Sequence, residues 1–115
     1  MSHITIGKTN PVITMVNVFT VESEKQQVFL DALRFELDTV MRQQPGFVSS
    51  SIHRSLDGVR VLNYTQWVSQ EAFEASHRNA EYLALREANK DLFTSADQHL
   101  YTVEFTADLD GIRED

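Results

Sequence analysis

The side chains best suited to chemistry lie on two stretches that read as β-strands. In Val61-Leu62-Asn63-Tyr64-Thr65-Gln66-Trp67, Asn63 and Trp67 stand four residues apart. The two-residue period of a strand sends both, with Val61 and Thr65, to one face. In an earlier stretch Asn17 shares a face with Ile13, Met15 and Phe19. If the helix-covered face is the relevant one in both strands, two carboxamides and an indole N–H project into an otherwise apolar interior. A buried amide without a partner costs about 1–3 kcal/mol. Such groups therefore either satisfy one another and the backbone, or line a cavity that a polar guest enters. Asn is disfavoured in the middle of strands, which tilts the balance towards the cavity.

Other catalytic signatures are missing. There is no glycine-rich phosphate loop and no serine in a G-x-S-x-G elbow. The four histidines (His3, His53, His77, His99) fall on different elements. Glu74 and His77 are three apart, the spacing of half a di-iron site, but the second such pair and the further carboxylates are lacking. The pair reads as a solvated helix face. Without cysteine there is no disulfide, thiolate nucleophile or Cys-based metal site. A formal net charge of -7 without a Lys/Arg cluster repels phosphate backbones and anionic headgroups alike. Nucleic acid and membrane are poor partners, no apolar run reaches the length of a span, the first residues are polar rather than signal-like, and the cytoplasm is the default location.

The elements that must position Asn17, Asn63 and Trp67 follow from periodicity. At 115 residues with 42% hydrophobic content, the chain reads as one domain, 1–115, with a core from about 12 to 107. Pro11 to Val21 alternates as a strand apolar on both faces, hence central. Ser23 is placed to cap an amphipathic helix of about five turns carrying Leu30, Leu33, Leu37, Val40 and Met41, and Pro45-Gly46 stops it. Phe47–Ser55 and Val59–Trp67 form a hairpin about Leu56-Asp57-Gly58. Ser69 caps a second helix, which His77-Arg78-Asn79 breaks or kinks before it resumes with Tyr82, Leu83, Leu85 and Arg86. Gln98 to Ala107 alternates as the last strand, and the acidic Asp108–Asp115 tail is expected to fray.

This order, β-α-β-β-α-β, predicts an α+β ferredoxin-like fold. Its four-stranded antiparallel sheet has the first and third strands at its centre and both helices on one face. The other face, with Val12, Val16 and Val18, is left apolar and uncovered, and a second copy packing sheet to sheet would bury it.

The run Pro45-Gly46-Phe47, then His53-Arg54-Ser55-Leu56-Asp57-Gly58, then Asn63-x-x-x-Trp67 and Glu71-Ala72-Phe73, resembles the antibiotic biosynthesis monooxygenase family. Within it, the likeness is to cofactor-independent oxygenases that turn anthrones into quinones in aromatic polyketide pathways. The resemblance implies a homodimeric α+β barrel with one apolar pocket per subunit and O2 as co-substrate. It also implies Asn17, Asn63 and Trp67 as catalytic groups, and His53, Phe73, Tyr82 and Arg86 as groups that line the pocket. Some quinone-forming relatives have Tyr where Phe73 stands here. Relatives of this fold that open haem carry a Trp and a His at places that correspond here to Ser76 and Arg86, which counts against haem. A binder of aromatic ligands without turnover, or an oxygenase of small quinols, remains as a competing expectation.

Overall fold

The computed structural model describes residues 12–114; Pro11, His3 and the rest of the first eleven residues, and Asp115, lie outside the described residues. Strand β1 (Ile13–Thr20), helix α1 (Gln26–Thr39), the hairpin β2 (Phe47–Arg54) and β3 (Arg60–Trp67), helices α2 (Gln70–Ser76) and α3 (Ala80–Ala88), and strand β4 (Ser95–Tyr101) follow in chain order. The sheet is antiparallel with order β2-β3-β1-β4. The first and third strands are thus its centre, as the connections require.

Local chemistry explains most boundaries. Asp57 Oδ1 accepts from Ser55 Oγ at 2.6 Å and from Val59 N at 3.2 Å, and Gly58 takes the left-handed φ of 82° that the tight turn needs. Ser69 Oγ accepts from Ala72 N, and Asn79 Oδ1 from Tyr82 N, so each of α2 and α3 has its own side-chain cap. The break between them falls at the expected His77-Arg78-Asn79.

Several boundaries differ from expectation, among them the end of α1, which stops at Thr39 with Met41 in a short 3-10 turn beyond it. Ser23 does not cap α1: Glu22 heads a short 3-10 turn over Ser23–Lys25, and the α-helix begins at Gln26. Gln26 Nε2 instead donates to the carbonyls of Ser55 and Arg60 at 3.3 and 2.9 Å, fastening the helix start to the mouth of the hairpin. The last strand starts and ends earlier than the alternation suggested. Pairing begins at Thr20↔Ser95, where β1 ends, and stops at Thr14↔Tyr101, one residue short of the other end of β1. The tail is not wholly frayed: β5 (Thr106–Asp108) pairs with β6 (Gly111–Arg113) in a small separate hairpin.

The core lies between the sheet and the helices in two clusters. Phe19, Phe29 and Phe93 meet ring to ring with centroids 4.7–5.4 Å apart; Val21, Leu33 and Val61 complete that cluster. The second gathers Met15, Val40, Met41, Trp67, Phe73 and Tyr82. Side chains at alternate positions of β1, from Met15 through Asn17 to Phe19, all face this covered side and are buried.

Candidate active site

The antiparallel register sets Asn17 directly opposite Asn63, and Ile13 opposite Trp67. Both Asn63 and Trp67 line a nearly closed chamber between the sheet and the helices. Met15, Leu33, Leu37, Met41 and Ile52 form its apolar wall, while Glu36, Thr65, His77, Tyr82 and Arg86 complete it. The empty space in and around this chamber, open solvent included, is ≈ 340 Å³, yet the free part has room for about one water molecule. An aromatic guest therefore requires the wall to move. Met15 and Met41, with flexible unbranched side chains, are the easiest parts of it to repack.

Trp67 is completely buried, and its indole Nε1 has no hydrogen-bond partner among the described residues. Phe47 and Phe73 hold the ring edge to face at centroid distances of 5.5 and 6.4 Å. Asn63 is fixed from one end. Its Oδ1 accepts from Thr65 Oγ1 at 2.7 Å and from Ser50 Oγ at 3.1 Å, so the Nδ2 end is the one available to a guest. Asn17 is equally buried but does not reach the chamber wall; its Nδ2 donates to Gln98 Oε1 at 3.3 Å, and its Oδ1 has no partner among the described residues.

Arg86 and Glu36 form a bidentate ion pair of 2.9 and 3.0 Å, with the guanidinium also 5.1 Å from the ring centroids of Phe19 and Tyr82. The positive charge on the wall is thus already neutralised. Burial raises the Tyr82 phenol above its ordinary range, Arg86 and Glu36 acting in opposite senses, so it stays a neutral donor. Burial likewise lowers the proton affinity of His77; a hydrogen bond to the Phe73 carbonyl opposes this and Arg86 adds to it.

Residues 12–88 match the family model described as Antibiotic biosynthesis monooxygenase. The chain belongs to this family. Its residues are 44% identical, over 73 positions, to a tetracenomycin-F1 monooxygenase of Streptomyces glaucescens, a match spanning 64% of this chain and 65% of that relative's length. Among solved structures, a monooxygenase from the gene ActVA-Orf6 of Streptomyces coelicolor, in complex with nanaomycin D, superposes with TM-score 0.74 at 26% identity. That match covers 84% of this chain and 90% of the other. SnoaB, a cofactor-independent oxygenase from Streptomyces nogalater, gives TM-score 0.67 at 27% identity over 83% and 95% of the two chains.

Against the residues expected from the family pattern, Asn63, Trp67, Tyr82 and Arg86 meet at one chamber. Phe73 is buried behind Trp67, outside the lining. His53 is on the wrong side of the sheet: its neighbour Ile52 lines the chamber, and the alternation of β2 turns His53 to the uncovered face, where its Nε2 lies 3.0 Å from Ser51 Oγ. The solvated-face reading of Glu74 and His77 is half corrected. Glu74 is exposed, but His77 turns inward. Glu36 went unnoticed, although the buried positions Phe29, Leu33, Glu36 and Val40 place a carboxylate within an apolar helical stripe.

Proposed function

We propose that this family member is a monooxygenase of aromatic polyketide biosynthesis that acts in the cytoplasm as a homodimer. It uses O2, with neither metal nor flavin, to oxidise an anthrone- or naphthacenone-type substrate to a quinone through a substrate carbanion. The observation that carries the reading is that Asn63 and Trp67 line one chamber, Trp67 Nε1 being without a partner among the described residues and Asn63 being held through its oxygen alone. The Streptomyces relatives, two monooxygenases and a cofactor-independent oxygenase, support the oxygenase part of this reading.

Triplet O2 reacts slowly with closed-shell molecules, and a substrate that ionises to an easily oxidised carbanion removes the need for an external electron source. An anthrone does this on losing a proton from the carbon between its aromatic rings. Asn63 Nδ2 hydrogen-bonds the carbonyl oxygen as it becomes an enolate, with Asn17 behind it across the sheet. The enolate passes an electron to O2, the radicals combine at carbon, and a peroxide forms. Trp67 N–H donates to that peroxide until water is lost and the quinone carbonyl remains. The apolar wall admits O2 and excludes bulk water.

Oxygen uptake with anthrone, measured by electrode, tests the reading. Asn63→Ala and Trp67→Phe should each lower turnover by roughly 10²-fold. Full rates in both folded variants would overturn the mechanism.

A further inference from the structure

His77 lies at the C-terminal end of α2 with no part so far in the chemistry. Its Nδ1 is 3.0 Å from the carbonyl oxygen of Phe73 and 2.9 Å from Ser76 Oγ, and Ser76 Oγ itself donates to that carbonyl at 2.6 Å. A carbonyl can only accept, so the proton of the neutral ring sits on Nδ1 and the lone pair on Nε2. Nε2 makes no hydrogen bond among the described residues, while the side chain lines the chamber. The ring cannot readily swing away. It is clasped between Phe73 and Tyr82, at centroid distances of 4.2 and 4.7 Å, and stands 6.3 Å from Trp67.

We infer that His77 Nε2 is the base that removes the proton from the reacting carbon of the substrate, an inference that rests on the oxygenase reading above. The C–H bond breaks towards Nε2 and its electron pair enters the enolate. After O2 has added, the imidazolium gives that proton to the peroxide anion. Nε2 then takes the second hydrogen of the same carbon as the O–O bond breaks and the C=O bond forms. The departing hydroxide recovers that proton as water. Overall CH2 + O2 gives C=O + H2O, one oxygen atom going to each product.

The surroundings suit a base. Arg86 and Glu36 face the ring as an internally neutral pair, Tyr82 is held in its phenol form, and burial keeps His77 unprotonated at neutral pH. As pH falls through the lowered pKa of His77, the lone pair is lost, so kcat/KM should show an acid limb below the ordinary imidazole range.

His77→Asn retains an N–H for the Phe73 carbonyl but removes Nε2. We expect kcat/KM for anthrone to fall about 10²- to 10⁴-fold and the acid limb to vanish. The primary deuterium isotope effect at the reacting carbon should rise. Without oxygen, the unsubstituted protein should generate the enolate absorbance of anthrone, Trp67→Phe should still do so, and His77→Asn should not. A His77→Asn protein with unchanged rate and acid limb overturns the base while leaving the oxygenase reading intact. An unsubstituted protein that turns over without an acid limb does the same, and needs no variant to fold. If the unsubstituted protein neither ionises anthrone nor consumes oxygen, both readings fall.

Discussion

Trp67 and Asn63 differ in what their burial costs. The indole N–H has no acceptor among the described residues, a penalty of about 1–3 kcal/mol that a guest oxygen would relieve. The amide of Asn63 has its oxygen end satisfied and is therefore aimed before any guest arrives. Glu36 and Arg86 pose the opposite case: two charges removed from water and matched to each other, with side chains 6% and 19% exposed. Breaking such a pair strands the remaining charge. Glu36→Ala should destabilise the fold by about 3–5 kcal/mol, whereas the double variant Glu36→Leu with Arg86→Met should recover much of that loss. Urea denaturation followed by Trp67 fluorescence measures both. A double variant less stable than the single one would show that the charges themselves are needed.

The hairpin and the helix break do the positioning at the level of elements. The Asp57-Gly58 turn fixes the β2–β3 register, which places Ser50 opposite Thr65 and within reach of Asn63. Asn79 caps α3 separately, so α2 ends at Ser76, and the ring of His77, the residue that caps its C-terminus, packs inward against Phe73 and Tyr82. At the other end Gly46 joins α1 to the sheet with φ of 85°, and its carbonyl accepts from Val68 N at 2.9 Å. A Cβ there would lie 2.5 Å from Ala72 Cβ and 2.9 Å from Val68 Cγ2. Gly46→Ala therefore combines backbone strain with a steric clash and should cost about 1–3 kcal/mol. The expected readout is a lower Tm; an unchanged Tm would mean that α2 shifts freely, against the packing described.

For the molecule as a whole, the sheet has two unlike faces. One carries the helices and the chamber. The other presents Val16, Val18, Leu62 and Tyr64 half-buried, and all of β4 is exposed, including Tyr101. Phe105, just before β5, and Leu109 and Ile112 in the β5–β6 hairpin are each more than half exposed. The proposed second copy would cover this apolar surface. Sedimentation equilibrium should then give twice 13.2 kDa for the unsubstituted chain and 13.2 kDa for Val16→Lys, which places a charge in the middle of the face. A monomer in both cases would remove the dimer from the proposal.

The element order, the central place of the first and third strands and the inward set of Asn17, Asn63 and Trp67 were all readable from local signals. Two-residue and helical periods, the Asp-Gly turn and the Ser69 cap act over a few residues, and those are the distances a sequence displays. The boundaries of the last strand were not readable, because they depend on how it pairs with β1. Nor was the site's full membership. His53 and Asn17 leave the chamber wall, while His77 and Glu36 join it. Those outcomes depend on which sheet face meets the helices at each point and on how α1 and α3 turn against one another. Such contacts join residues as far apart as Glu36 and Arg86, and only the closed tertiary packing brings them together.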